Sequence, residues 1–197
     1  MSCRTLIGLV NAGLWRAEER DRLLSSIRGL LSEMCVVIDV RVGSRRLEVD
    51  AFVDRERLPQ VISKLRSLSE VEYVRELSAD SLDEEDPLRV GVEFFNDERY
   101  WEAHETWEGV WRNSTGGEKE AVSALILVAA AYVHLQRGRA ERYFSVLRRA
   151  MEKLERLSVQ RIGHIDLGPL RREVQERLSN RCVRAVRIGS REKLKSY

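Results

Sequence analysis

The fold of the N-terminal part is decided by residues 35–53, which read CVVIDVRVGSRRLEVDAFV. Two strand-like runs, Cys35–Val42 and Arg45–Val53, lie on either side of the dipeptide Gly43-Ser44. In the second run every other residue is apolar, which is the period of a strand with one buried face. Two such runs around a glycine-containing dipeptide predict a β-hairpin.

The segments on either side of this hairpin extend the pattern to a β-α-β-β-α-β order. Apolar residues recur at helical spacing in Leu23–Leu31 before the hairpin and in Leu58–Leu68 after it. Short apolar runs at Thr5–Val10 and Val71–Leu77 open and close the unit. This order predicts a ferredoxin-like βαββαβ sandwich for residues 1–80, with both helices on one face of the sheet. We expect its edge or open face to serve self-association, as in a homodimer.

The second part of the chain has a different pattern. An acidic linker is predicted at residues 81–87, and an all-helical domain at residues 88–180. The stretch GVEFFNDERYWEA keeps glycine, aromatic and alanine residues at roughly the offsets of a tetratricopeptide unit. The helix around Ala121–Leu135 is apolar on nearly every side and is expected at the centre. The predicted class is therefore α+β, a ferredoxin-like sandwich followed by an all-α bundle of tetratricopeptide-like helical hairpins.

Composition excludes several classes of protein. The 197 residues are 43% hydrophobic and 34% charged, which excludes wholesale disorder. The longest apolar run, Ala124–Val133, is far shorter than the roughly 20 residues of a membrane span. The first residues lack the pattern of a signal peptide. We therefore expect a cytoplasmic protein with no membrane partner. Many charged and few amide residues are typical of a thermophile.

Net positive charge is concentrated at the C-terminal end of the chain. Residues 181–197 form a basic tail, in which Arg181–Lys195 carries six positive groups and one negative group. Such a tail is usually a solvated, disordered terminus, and it is the only part of the chain expected to contact nucleic acid. The three cysteines are far apart and lack CxxC spacing, so neither a disulfide framework nor a zinc ribbon is expected.

One helix carries the residues that could do chemistry. Residues 100–112 read YWEAHETWEGVWR. At 100° per residue these side chains fall into two neighbouring stripes along the helix, and one of them is predicted to face the interior. The second stripe consists of Trp101, Glu105, Glu108 and Arg112. We expect His134, on the central helix, to approach His104 across the bundle. The predicted binding pocket contains Tyr100, Trp101, His104, Glu105, Glu108, Trp111, Arg112 and His134; Tyr100, His104, Trp107 and Trp111 form the interior stripe.

Two interpretations of this helix remain open. His104-Glu105-x-x-Glu108 resembles the metalloprotease helix H-E-x-x-H with glutamate in place of the second histidine. A divalent transition metal could then be held by His104, Glu108 and His134, with Glu105 or Glu108 as the catalytic carboxylate of a hydrolase. The alternative is a buried polar network, with Arg112 paired to a carboxylate, that stiffens the bundle or lines a ligand pocket. We favour this second interpretation.

The favoured function is accordingly that of a non-enzymatic binding protein. This hypothesis requires no cofactor, and the ligand would be a protein, a peptide or a small molecule. The remaining histidine, His164, is expected to be a solvated loop residue.

The helical part also resembles a known family, domain of unknown function 309. The resemblance rests on a phenylalanine-asparagine pair, an alanine-histidine-glutamate core, a tryptophan-arginine end and a later alanine-rich helix, over roughly residues 86–178. It implies an all-helical fold found in bacterial, archaeal and plastid proteins, and no established activity. The added N-terminal unit agrees with an archaeal source. The matching residues are Phe95, Asn96, Tyr100, Ala103, His104, Glu105, Glu108, Trp111, Arg112, Ala130, Ala131, Tyr132, His134 and Gly138.

Overall fold

The structure is a computed structural model that describes residues 2–76, 86–184 and 186–189. The chain forms two compact units, one of Met1–Ser81 with Gln136–Gly138 and one of Leu82–Leu135 with Arg139–Tyr197. We call them the N-terminal unit and the helical unit. The predicted linker falls mostly on residues 81–85, outside the described part of the chain. The architecture is mixed α+β, with an antiparallel sheet in the first unit and helices in the second.

The N-terminal unit has the predicted β-α-β-β-α-β order. Its four strands form one antiparallel sheet in the order β2-β3-β1-β4. The predicted hairpin is confirmed, since Val42 pairs with Leu47 across the turn. A short 3-10 turn, Ala17–Glu19, precedes the first helix. The elements are β1 Ser2–Val10, α1 Arg20–Leu31, β2 Cys35–Val42, β3 Arg46–Asp54, α2 Leu58–Arg66 and β4 Val71–Glu76.

The alternation of the central strands builds one apolar face. Ile7 of β1 lies opposite Val49 of β3, and both side chains are fully buried. The apolar stripes of α1 and α2 pack into this same core, through residues such as Ile27 and Val61. Both helices therefore lie on one face of the sheet, as the sequence predicts.

The other face of the sheet carries a buried ionic network that the sequence analysis did not identify. The Arg41 guanidinium lies 2.9 Å from the Asp50 carboxylate and 3.4 Å from that of Glu48. A second arginine, Arg4, lies 2.7 Å from Asp50. The Tyr73 hydroxyl donates a hydrogen bond to Glu48. Arg41, Glu48 and Asp50 are at most 3% exposed, so the charges are neutralised within the network rather than by solvent.

The β2 edge of the sheet is covered by arginine side chains from α1. Arg28 donates to the Val37 carbonyl at 3.1 Å and to the Ile38 carbonyl at 3.0 Å. Arg20 reaches the Val40 carbonyl at 3.4 Å. These carbonyls are thereby occupied at the edge where an added strand would pair.

The helical unit contains five helices and a short hairpin in its described part. Residues 121–136 of the central helix are all buried or half-buried, which confirms its predicted central position. No helix in the described ranges is both long enough and apolar enough to cross a bilayer. The elements are α3 Pro87–Asn96, α4 Tyr100–Asn113, α5 Gly116–Gln136, α6 Ala140–Arg156, β5 Arg161–Ile162, β6 Ile165–Asp166 and α7 Leu167–Ser179.

Two local features differ from the sequence prediction. A two-stranded hairpin, β5–β6, replaces a predicted loop, and Gly163 supplies the positive φ of 51° in its turn. Proline favours the first turn of a helix, so the sequence predicts a helix that starts at Pro169. Helix α7 instead begins two residues earlier, at Leu167. It begins earlier because the Asp166 carboxylate accepts a hydrogen bond from the Gly168 amide and caps the first turn.

The beginning of the basic tail is packed rather than solvated. Val186 and Ile188 are 1% and 2% exposed and belong to the core of the helical unit. The expectation of a solvated terminus is therefore wrong at Val186 and Ile188; residues 185 and 190–197 lie outside the described part.

Candidate functional site

Helix α4 presents a buried side and an open side. Tyr100, Ala103 and Trp107 form the buried side and are at most 4% exposed. Their spacing of three and four residues places them on one face of the helix. Six other residues of the motif are half-buried or exposed and lie away from this face: Trp101, His104, Glu105, Glu108, Trp111 and Arg112.

Helical spacing brings His104, Glu105 and Glu108 together, and we name this group the His104 cluster. The Nδ1 atom of His104 lies 3.6 Å from a carboxylate oxygen of Glu105. Its Nε2 atom lies 4.0 Å from a carboxylate oxygen of Glu108. One ligand atom from each residue can be chosen so that all three lie within 4.8 Å of one another. Both contacts are too long for hydrogen bonds, so the cluster is not closed on itself.

The His104 ring is held by packing. It stacks on Trp101, with ring centroids 5.7 Å apart and an interplanar angle of 6°. The side chain is 18% exposed, and its Nδ1 atom is buried with no hydrogen-bond partner among the described residues. Such an atom costs about 1–3 kcal/mol. A ligand that offered it a partner would recover part of that free energy.

The carboxylates of the cluster are open to solvent. The side chains of Glu105 and Glu108 are 52% and 37% exposed. The Arg112 guanidinium lies 3.6 Å from the Glu108 carboxylate and is 71% exposed, so this pair contributes little stability. With a neutral imidazole the four side chains carry one net negative charge, which favours a positively charged ligand.

The donor set suits a metal ion only after a small rearrangement. Two ligands about 2.1 Å from a zinc ion lie at most about 4.2 Å apart. Both histidine contacts meet this limit, but they use different nitrogens of the same ring. A single ion would bind one nitrogen, and one carboxylate would have to turn toward it. One imidazole nitrogen and two carboxylates is a ligand set that zinc, iron and manganese accept.

The predicted interior stripe is wrong at Trp111, which is 39% exposed. The Lys119 ammonium lies 4.3 Å from the centroid of its ring, a cation–π contact at the surface. Ala103 and Thr106 are buried, so the contact face of α4 is centred on their side of the helix. His104 and Trp111 consequently lie at the edge of that face rather than at its centre.

The other two histidines lie outside the cluster. His134 is half-buried on α5, and the only metal-ligand group found in the described ranges contains Glu105 in its place. The predicted ligand set of His104, Glu108 and His134 is therefore not brought together. His164 is not a solvated residue: its side chain is 16% exposed, and its Nδ1 atom lies 3.2 Å from the carboxylate of Asp86, the residue that caps α3.

A buried ion pair lies at the start of α4 and was not predicted from the sequence. Arg99 and Glu102 are each 9% exposed and lie 3.0 Å apart. The Arg99 guanidinium also lies 4.2 Å from the centroid of the Phe94 ring. The signal was present as opposite charges three residues apart, a spacing at which helical side chains meet.

Comparison with known families bears on α3, α4, α5 and the start of α6. The model of a family described as Domain of unknown function (DUF309) matches residues 88–146. The predicted resemblance is confirmed there, and the N-terminal unit lies outside the match. The match ends at residue 146, and the expected resemblance beyond it, to about residue 178, stays a prediction. No curated protein matches the chain significantly.

Proposed function

We propose that the protein is a non-enzymatic binding protein whose His104 cluster receives a positively charged ligand. The observation that carries the proposal is the convergence of three potential ligand atoms within 4.8 Å beside a stacked imidazole. The unpartnered Nδ1 atom of His104 and the net negative charge support it. The cation could be a divalent metal ion or a basic side chain of a partner, since both suit carboxylate oxygens.

Binding is favoured over catalysis because the cluster is open. Catalytic carboxylates act most effectively in sites that exclude water, whereas Glu105 and Glu108 are 52% and 37% exposed. The wider scaffold fits the same role. We interpret the helical unit as a pair of tetratricopeptide-like hairpins that presents a recognition surface. We interpret the N-terminal unit as a ferredoxin-like unit that self-associates or senses a ligand.

A metal-dependent hydrolase is the second candidate. The same group of ligand atoms favours it, with His104 and one carboxylate binding the ion and the other carboxylate acting as a base. His134 would have to move toward the cluster to complete the ligand set first predicted.

The test uses protein purified without an affinity tag or a chelator. Isothermal titration with zinc, manganese and a hexa-arginine peptide compares the wild type with His104→Ala and Glu108→Gln. Each substitution removes either a metal ligand or a charged contact, and it should weaken binding of the ligand that the cluster receives at least tenfold. His164→Ala and Glu152→Gln are matched controls, which remove an imidazole and an exposed helical carboxylate elsewhere. They should leave binding unchanged.

The arms of this titration separate the candidates. Metal binding lost in His104→Ala identifies a metal ion, whereas hexa-arginine binding lost in Glu108→Gln identifies a basic partner. Equal binding of all probes by the wild type and both cluster variants would refute the proposal. Hydrolysis of ester or phosphoester substrates that depends on both the metal and His104 would establish the second candidate instead.

A further inference from the structure

The C-terminal segment, described for residues 182–184 and 186–189, packs against the helical unit and is held through its backbone. The Cys182 carbonyl accepts a hydrogen bond from the Tyr143 hydroxyl at 3.4 Å. The Arg184 carbonyl accepts from the Tyr132 hydroxyl at 2.9 Å and from Arg177 Nε at 3.1 Å. These side chains bind main-chain groups, so they recognise an extended backbone rather than particular side chains.

The strongest backbone contact is made by Asn96 at the end of α3. Its amide nitrogen donates to the Ile188 carbonyl at 2.8 Å, and its amide oxygen accepts from the Ile188 N–H at 2.9 Å. One side chain thereby satisfies both polar groups of one residue, as a neighbouring strand does in a sheet.

Buried and exposed residues alternate over the last four described residues of the segment. Val186 and Ile188 are 1% and 2% exposed, whereas Arg187 and Gly189 are exposed. Backbone hydrogen bonds combined with pockets for every second side chain are the means by which domains hold extended peptides.

We propose that this groove is a binding site for an extended peptide segment of a partner protein, with β-branched apolar residues two positions apart. Residues 182–184 and 186–189 are its intramolecular occupant and keep the groove filled until a partner competes. This site lies apart from the His104 cluster and does not depend on the function proposed for it.

The attachment of the segment suits displacement. Helix α7 ends at Ser179, and Arg181 adopts a positive φ of 46° that non-glycine residues rarely take. Rotation there would free the segment without unwinding a helix. In the described residues of the segment, the buried apolar anchors are Val186 and Ile188 alone.

The donors in the groove remain available at any physiological pH. Burial raises the pKa of Tyr132, as do the neighbouring tyrosines, so its hydroxyl keeps its proton. Burial raises the pKa of Tyr143 as well. Both hydroxyls therefore keep their protons and can donate to the backbone of the bound segment.

The test releases the segment in the full-length chain. Val186→Ser combined with Ile188→Ser removes both anchors and leaves the groove unchanged. A fluorescein-labelled peptide of residues 181–189, RCVRAVRIG, is then titrated and followed by fluorescence anisotropy. We expect it to bind the released variant at least tenfold more tightly than the wild type, since its own segment no longer competes. The same peptide with serine at both anchor positions is the control and should not bind. Adding Asn96→Ala to the released variant should weaken binding about tenfold, through loss of two hydrogen bonds.

Equal binding of both peptides by a released variant that retains its helical circular dichroism would overturn the proposal. A second measurement covers a variant that does not fold. In the wild type, hydrogen exchange should be at least tenfold faster at the Ile188 amide than at amides in the middle of α5, because the segment opens locally. Equal protection would show that it leaves only on global unfolding and would also overturn the proposal. A wild-type dimer that exchanges this segment would make a second copy the occupant and refute a foreign partner.

Discussion

Substituting Gly91 by alanine should destabilise the helical unit, because α3 and α4 meet at this residue. A Cβ added to Gly91 would overlap the Nε1 atom of Trp107 and lie 2.6 Å from two ring carbons. The Trp107 ring is fully buried and cannot swing into solvent. Overpacking of this kind costs about 3 kcal/mol at the upper end of its usual range, and alanine recovers about 1 kcal/mol of helix propensity. The expected net loss is therefore about 2 kcal/mol.

Urea unfolding followed by tryptophan fluorescence measures this loss, since three of the four tryptophans lie on α4. The midpoint of thermal unfolding should fall by roughly 8–16 °C for a domain of this size. Gly109→Ala is the matched control: Gly109 is on α4, exposed and without a neighbour at its Cβ position, and alanine should add about 1 kcal/mol there. A Gly91→Ala variant as stable as the wild type would refute the close packing of these helices.

Two further predictions concern the N-terminal unit. Arg28→Ala exposes the Val37 carbonyl at the β2 edge, so the average mass of this variant, measured by light scattering, should rise with protein concentration. Arg22 is an exposed arginine of the same helix, and Arg22→Ala should leave the average mass unchanged. Equal masses for the two variants would contradict the edge-covering role of Arg28. Burial alone would raise the pKa of Asp39, but the hydrogen bond from Arg20 and the positive charges of Arg137, Arg20 and Arg41 together outweigh it and hold this pKa below its usual 3.8. The resulting stability is present above pH 3.8 and is lost as pH falls through the lowered pKa, so Asp39→Asn should cost free energy of unfolding at pH 6 and progressively less below pH 3.8. A difference between the two proteins that stays constant from pH 6 to the acid limit would contradict this assignment.

Local patterns predicted most of the fold. The strict alternation of Arg46–Asp54 and the turn dipeptide before it were sufficient to place the hairpin, because strand period and turn chemistry are properties of neighbouring residues. The packing of Val186 and Ile188 was not predictable in this way. The backbone partner of Ile188, Asn96, is about ninety residues away, so no local signal separates this segment from an ordinary basic terminus.

The candidate site, like the fold, could be predicted where contacts are local and not where they depend on tertiary packing. His104 and Glu108 meet because they are four residues apart on a helix, and that contact could be predicted from spacing alone. The position of Trp111 could not, because the direction of the core is set by the helices that pack against Ala103. The absence of His134 from the cluster has the same origin, since the distance between residues on α4 and α5 is fixed by tertiary packing.

The buried ionic network on the sheet also constrains how the strands can pair during folding. A shift of one residue in β3 would turn Glu48 and Asp50 toward α1 and α2 and expose Val49 on the opposite face. Two carboxylates would then be desolvated with no arginine beside them, at a cost of several kcal/mol each. A sheet packed in the wrong register is therefore strongly disfavoured, so the charges on β3 specify which strand pairing the finished unit can have.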